Sequence, residues 1–105
     1  MHFVYHLIDP RNKIVRYVGK TATPTARLRA HIAESRARRV TRKQRWIGDL
    51  LDMGLEPLMV IAAQAPNDAQ ARVLESRNCY MHLDTIYNIH DPAKGAKDFK
   101  GTARG

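Results

Sequence analysis

The stretch Arg16–Ile32, RYVGKTATPTARLRAHI, passes from a short strand-like run through a Gly-Lys step into a helix that carries an arginine and a histidine four residues apart. Ile14 to Val18 supplies the strand-like run, apolar and β-branched. Thr23 and Pro24 form a helix start, with a hydroxyl at N-cap and a proline at N1 where its missing N–H is no loss. Leu28 and Ile32 continue at helical spacing, which predicts a helix to about Arg38. Residues four apart share a helix face, so Arg27 and His31 can converge on one small target.

Upstream, Phe3 to Ile8 is rich in β-branched and aromatic residues and DPRNK is a turn signal, so the N-terminus reads as an antiparallel hairpin. Downstream, TRKQ at Thr41 has capping-box form. Trp46, Ile47, Leu50, Leu51 and Met53 supply the apolar face of a second helix, and Gly54 is its C-cap. PLMVIAAQ is nearly continuous in apolar residues, as expected of a central strand or one covered on both sides. Asn67 caps a third helix from Asp68 to about Leu83, with Gln70 at N3 and Ala71, Leu74 and Met81 among its apolar residues. The order β-β-α-α-β-α predicts an α/β or α+β sandwich, a small three-stranded mixed or antiparallel sheet flanked by helices. One domain is expected over residues 1–90, followed by a basic, flexible tail at 91–105, AKGAKDFKGTARG in its main part.

Within 105 residues there is room for one modest core. A formal net charge of +8 and a pI near 10.2 suit a polyanionic partner, nucleic acid or an anionic membrane. No apolar run approaches the roughly 20 residues that cross a bilayer, and MHFVYHLIDP lacks the form of a signal peptide, so a cytoplasmic protein without a membrane partner is expected. The single Cys79 cannot form an internal disulfide and reads as buried filler. His2, His6, His82 and His90 show no zinc-ligand spacing, so any metal would sit on oxygen ligands. Asp49 and Asp52 fit the wet face of the second helix, and Trp46 fits the core.

Taken alone, each candidate residue has an ordinary reading: Arg27 and His31 as solvated helix residues, Tyr5 and Tyr17 as half-buried strand tyrosines, Glu75 as the partner of Arg72 or Arg77, Asn88 as a turn residue. Taken together, two phenols, Lys20, Arg27 and His31 within about thirty residues make a phosphate-directed cluster. The chain resembles the GIY-YIG nuclease domains. The first family motif is present as FVY (Phe3-Val4-Tyr5), with Phe3 in place of its glycine and Val4 in place of its isoleucine. The second is present as YVG (Tyr17-Val18-Gly19). Arg27, His31, Glu75 and Asn88 then follow in family order.

The resemblance implies a divalent-metal-dependent endonuclease that hydrolyses DNA phosphodiester bonds. Glu75 would be the sole protein ligand of one Mg2+ or Mn2+ per site, and Arg27 would clamp the phosphoryl oxygens. Tyr17 would position or deprotonate the attacking water beside Tyr5. His31 and Lys20 would help, Gly19 would support the motif, and Asn88 would hold the glutamate or its neighbouring loop. The run ESRARRVTRKQR, Glu34 to Arg45, adds a DNA-backbone track of Arg36, Arg38, Arg39, Arg42, Lys43 and Arg45. The sequence leaves open DNA that is structured or single-stranded, and targeting by a homodimer or a separate partner. It also leaves open an RNA-processing or structure-specific nuclease, and a non-catalytic nucleic-acid-binding protein on the same fold.

Overall fold

The computed structural model describes residues 1–88, so the expected tail at 91–105 and His90 lie outside the described residues. Its elements are β1 (His2–Ile8), β2 (Val15–Thr21), α1 (Pro24–Ala37), α2 (Arg42–Asp52), β3 (Leu58–Ala65) and α3 (Asp68–Met81), in the expected order. The three strands form an antiparallel sheet in the order β2-β1-β3. The strand β1 continues through Phe3, which pairs with Thr21 and Gln64, so the residue that replaces the motif glycine is accommodated.

Alternation along β1 divides its side chains between two layers. Tyr5 and Leu7 join the core formed with Trp46, Ile47 and Leu50 of α2, and Leu28, Leu51 and Leu55 pack around it. His6 points the other way, to α3, where its Nε2 meets Asn78 Oδ1 at 2.9 Å. Helices α1–α2 and α3 thus cover opposite faces of one sheet.

The ends of α2 form as its sequence dictates. Thr41 and Gln44 make the reciprocal capping box. At the other end Gly54 takes φ +76, and the Gly54 and Leu55 amides donate to Leu51 and Leu50 carbonyls in a Schellman arrangement. Asn67 caps α3 by accepting from the Gln70 amide.

Four expectations on packing are corrected. β3 is an edge strand and β1 is the central one, because β1 pairs with both of its neighbours. The apolar run of β3 therefore stays open, with Leu58, Val60 and Ile61 all more than 40% exposed. Met53 and Met81 are likewise exposed, since each falls at the end of its helix beyond the last packed turn. Cys79 is only partly buried. The Thr23 hydroxyl does not cap α1; the Thr23 amide donates instead to Thr21 Oγ1 at 3.0 Å.

Asp9 locks the hairpin to α2. Its carboxylate, 1% exposed, accepts from the Arg11 backbone and guanidinium and from Trp46 Nε1 at 3.0 Å. Its backbone closes the turn with Lys13 and Ile14. The Arg11 hydrogen bond, aided by Trp46, outweighs burial and holds this carboxyl well below its usual range. A depressed native pKa contributes stability above the unfolded value of 3.8 that is lost as the pH falls below it. Asp9→Ala should cost about 2–4 kcal/mol in urea unfolding at pH 7, since Trp46 and Arg11 lose a charged acceptor. The gap from the parent should narrow as the pH is lowered to about 3; a constant gap would show that the charge is not what stabilises the turn.

Candidate active site

The register of β1 and β2 sets Tyr5 opposite Gly19 and Leu7 opposite Tyr17, so both phenols project from the α1 side of the sheet. Glycine is needed at position 19 for steric reasons. A Cβ there would lie 2.5 Å from Tyr5 Oη and 3.0 Å from Tyr17 Cε2. With that space open, the Tyr5 ring lies over the strand and its hydroxyl reaches His31 Nε2 at 2.7 Å. His31 comes from the inner face of α1 and is wholly buried; its ring lies 5.9 Å from that of Tyr5 and 5.1 Å from that of Tyr17. One turn earlier, Arg27 lies close enough to both phenols to lower their pKa values, without a well-formed hydrogen bond to either.

On its far side His31 meets α2. Lys43 Nζ lies 3.1 Å from His31 Nδ1, 3.1 Å from Glu34 Oε1 and 5.1 Å from the centre of the Tyr17 ring. Burial, then the charges of Lys43 and Arg27, push His31 down to about 3, so the imidazole is neutral at physiological pH. Burial raises both phenols, against the pull of Arg27, and they too are neutral. For Glu34, burial is outweighed by the Lys43 contact, which keeps the carboxyl ionised.

Glu75 approaches from α3. It lines a cleft of about 350 Å³ together with Tyr17, Lys43, Glu34, Tyr87 and Asn88. Burial raises the Glu75 carboxyl while Lys20 and Arg72 pull it down from a distance, and among the described residues no side chain hydrogen-bonds to it. A partly buried carboxylate without a donor is suited to a hard cation. No group of three His, Cys, Asp or Glu side chains able to hold a metal occurs among the described residues, so water and phosphate would complete the coordination.

Asn88 acts on the strand and not on the glutamate. Its amide accepts from the Val18 N–H at 3.0 Å and donates to the Val18 carbonyl at 2.7 Å, in the manner of a short extra strand along β2. Lys20, across from Val4, faces α3 and pairs with Asp68 at 2.7 Å. It ties the start of α3 to β2 and so helps to set Glu75; it does not join the phenols.

Structural tasks have drawn in much of the basic run. Arg39 pairs with Asp52 at 2.7 Å, Arg45 donates to the Val40 carbonyl at 2.6 Å, and Arg42 stacks 4.6 Å over the Tyr87 ring. The Lys43 side chain is 12% exposed and engaged with His31 and Glu34. Arg36 and Arg38 remain exposed with no side-chain partner among the described residues.

The structure thus assembles Tyr5, Tyr17, Gly19, Arg27 and His31, with Glu75 across the cleft from Lys43. Sequence reasoning missed Glu34, although its place seven residues after Arg27 on one helix face was a usable signal. It also missed Tyr87, which lines the cleft between the Arg16 and Arg42 guanidinium groups, and no local pattern marks that residue.

The fold is of nuclease type. The family model for the GIY-YIG catalytic domain matches residues 1–76, and the chain belongs to that family. No curated protein and no solved structure gives a significant match.

Gly19→Ala should leave the protein folded but displace the Tyr5 ring and break its contact with His31. Tyr5 fluorescence or ring NMR shifts should change, and any phosphodiesterase activity should fall about 10²-fold from misplacement of the site by an ångström or less. Unchanged Tyr5 signals would show that the strand can absorb the added methyl group.

Proposed function

We propose that the protein is a metal-dependent endonuclease that hydrolyses phosphodiester bonds in DNA. The observation that carries this reading is the Glu75 carboxylate, to which no described side chain donates, on one wall of a cleft whose other walls present the Tyr17 phenol and the Lys43 ammonium, with Arg27 held against the phenols. A phosphodiester entering this cleft would meet a clamp, donors and a metal ligand at once.

Arg27 holds the phosphoryl oxygens and stabilises the charge that builds on them in the transition state. Tyr17 orients the attacking water. Both phenols are protonated at neutral pH, so they act first as hydrogen-bond donors, and neutral His31 holds the Tyr5 hydroxyl in place through its Nε2. Mg2+ or Mn2+ on Glu75 would act as a Lewis acid toward the phosphate and lower the pKa of a bound water.

The +8 net charge brings the polyanion to the surface, and Arg36 and Arg38 are the members of the basic run best placed to meet backbone phosphates. A single site cuts one strand, so a symmetric duplex break would require a second copy or a partner. A cytoplasmic location agrees with this substrate, and no described helix is long and apolar enough to cross a membrane.

The test is incubation of supercoiled plasmid with Mg2+ or Mn2+, with and without EDTA. Nicking should depend on the metal and should fall by about 10³-fold or more in Glu75→Ala and in Arg27→Ala, with folding intact. Removing the carboxylate should leave DNA binding unchanged or tighter, whereas removing the arginine should not tighten it. DNA binding without cleavage under every metal would favour a non-catalytic binding protein instead. Parental nicking by folded Glu75→Ala would remove Glu75 from the mechanism.

Arg36→Ala with Arg38→Ala should weaken DNA binding and flatten its salt dependence by about one counterion for each phosphate that is no longer neutralised. Turnover at saturating DNA should survive. An unchanged slope of log affinity against log salt would place the DNA path elsewhere.

A further inference from the structure

The geometry points to Lys43 as a positioning residue that fixes the tautomer of His31, and through it the direction in which Tyr5 offers its hydroxyl proton. For its functional consequence this inference rests on the nuclease reading.

An ammonium group has three donors and no acceptor. Lys43 directs one to Glu34 Oε1 and one to His31 Nδ1, each at 3.1 Å, and places its charge over the Tyr17 ring. An Nδ1 that faces an ammonium must be the bare, accepting nitrogen. In a neutral imidazole the one proton then sits on Nε2, the atom 2.7 Å from Tyr5 Oη. His31 therefore donates to Tyr5, and the Tyr5 oxygen accepts.

The consequence lies in the phenol's own proton. With its oxygen accepting from His31, the Tyr5 hydroxyl gives its proton away from the imidazole. The opposite tautomer would have Tyr5 spend that proton on His31 and offer only lone pairs to its surroundings. A phosphodiester is an acceptor alone, so the first arrangement attracts it and the second repels it. Lys43 thus transmits a polarity through His31 to the buried phenol: ammonium to imidazole to hydroxyl. Glu34 holds the ammonium in place, and Lys43 is too well covered to serve mainly as a backbone contact.

The charged and titratable groups facing the imidazole are Tyr5 from β1, Tyr17 from β2, Arg27 and Glu34 from α1, and Lys43 from α2. Removing Lys43 takes away one of the two cations that oppose protonation of His31. The His31 titration midpoint should then rise.

The test is long-range 1H–15N correlation NMR of the histidine rings in the full 15N-labelled chain, with His31→Gln to assign the signal. The parent should carry its proton on Nε2 at neutral pH. Lys43→Met should populate the Nδ1–H form and raise the titration midpoint, and Lys43→Arg, which keeps a cationic donor, should restore the parental pattern. With plasmid, Lys43→Met should lower kcat about 10²-fold and move the acidic limb of the pH profile upward. A parent with its proton on Nδ1 would overturn the inference, even if the variant failed to fold. So would a Lys43→Met protein whose tautomer and midpoint match the parent's. The ring signals need no turnover, so an inactive protein with Nε2–H would count against the nuclease reading and not against the role of Lys43.

Discussion

The close approach of the Tyr5 ring to the bare Cα of Gly19 is the constraint on which the cleft is built. Antiparallel pairing sets the two residues side by side, and the missing Cβ lets the phenol lie low enough to reach a histidine of α1. From that contact the order spreads outward. His31 fixes the rotation of α1 against the sheet, Lys43 joins α1 to α2, and the neighbouring Arg27 comes to rest against both phenols. Burial then works on each of these groups in the same direction, holding phenols and imidazole neutral while cations surround them. A site of neutral donors inside a positive field is suited to an anion.

The two faces of the sheet divide the labour. The α1–α2 face carries the core and the phenol cluster, whereas α3 brings the carboxylate from the other side, tied to β2 through Lys20 and Asp68. Among the described residues no side chain donates to Glu75, a costly state for a partly buried carboxylate and one that a bound cation would relieve.

Much of this was legible in the sequence, because the information was local. Helix spacing placed Arg27 and His31 on one face, strand alternation placed the tyrosines, and the capping signals at Thr41, Gly54 and Asn67 gave helix ends close to those observed. The failures were tertiary. The apolar composition of β3 suggested cover, yet cover depends on strand order, and β1 took the centre. The basic run suggested a phosphate track, yet charge composition does not say which arginines spend their donors within the fold. Arg39 found Asp52, and Lys43 found His31 across a helix crossing that no spacing rule anticipates. Asp9 also escaped notice, since its burial depends on a tryptophan 37 residues away.

The central claim is that one cation and one phosphate meet in the cleft between Glu75 and the wall of Tyr17 and Lys43. Mn2+ broadens NMR signals near its binding site, so titrating the 15N-labelled protein with Mn2+ in the presence of a short, uncleavable DNA analogue tests the claim directly. The account predicts early, selective broadening at Glu75, Tyr17 and Asn88, and loss of that pattern in Glu75→Ala. Uniform broadening, or a pattern that survives removal of the carboxylate, would contradict it.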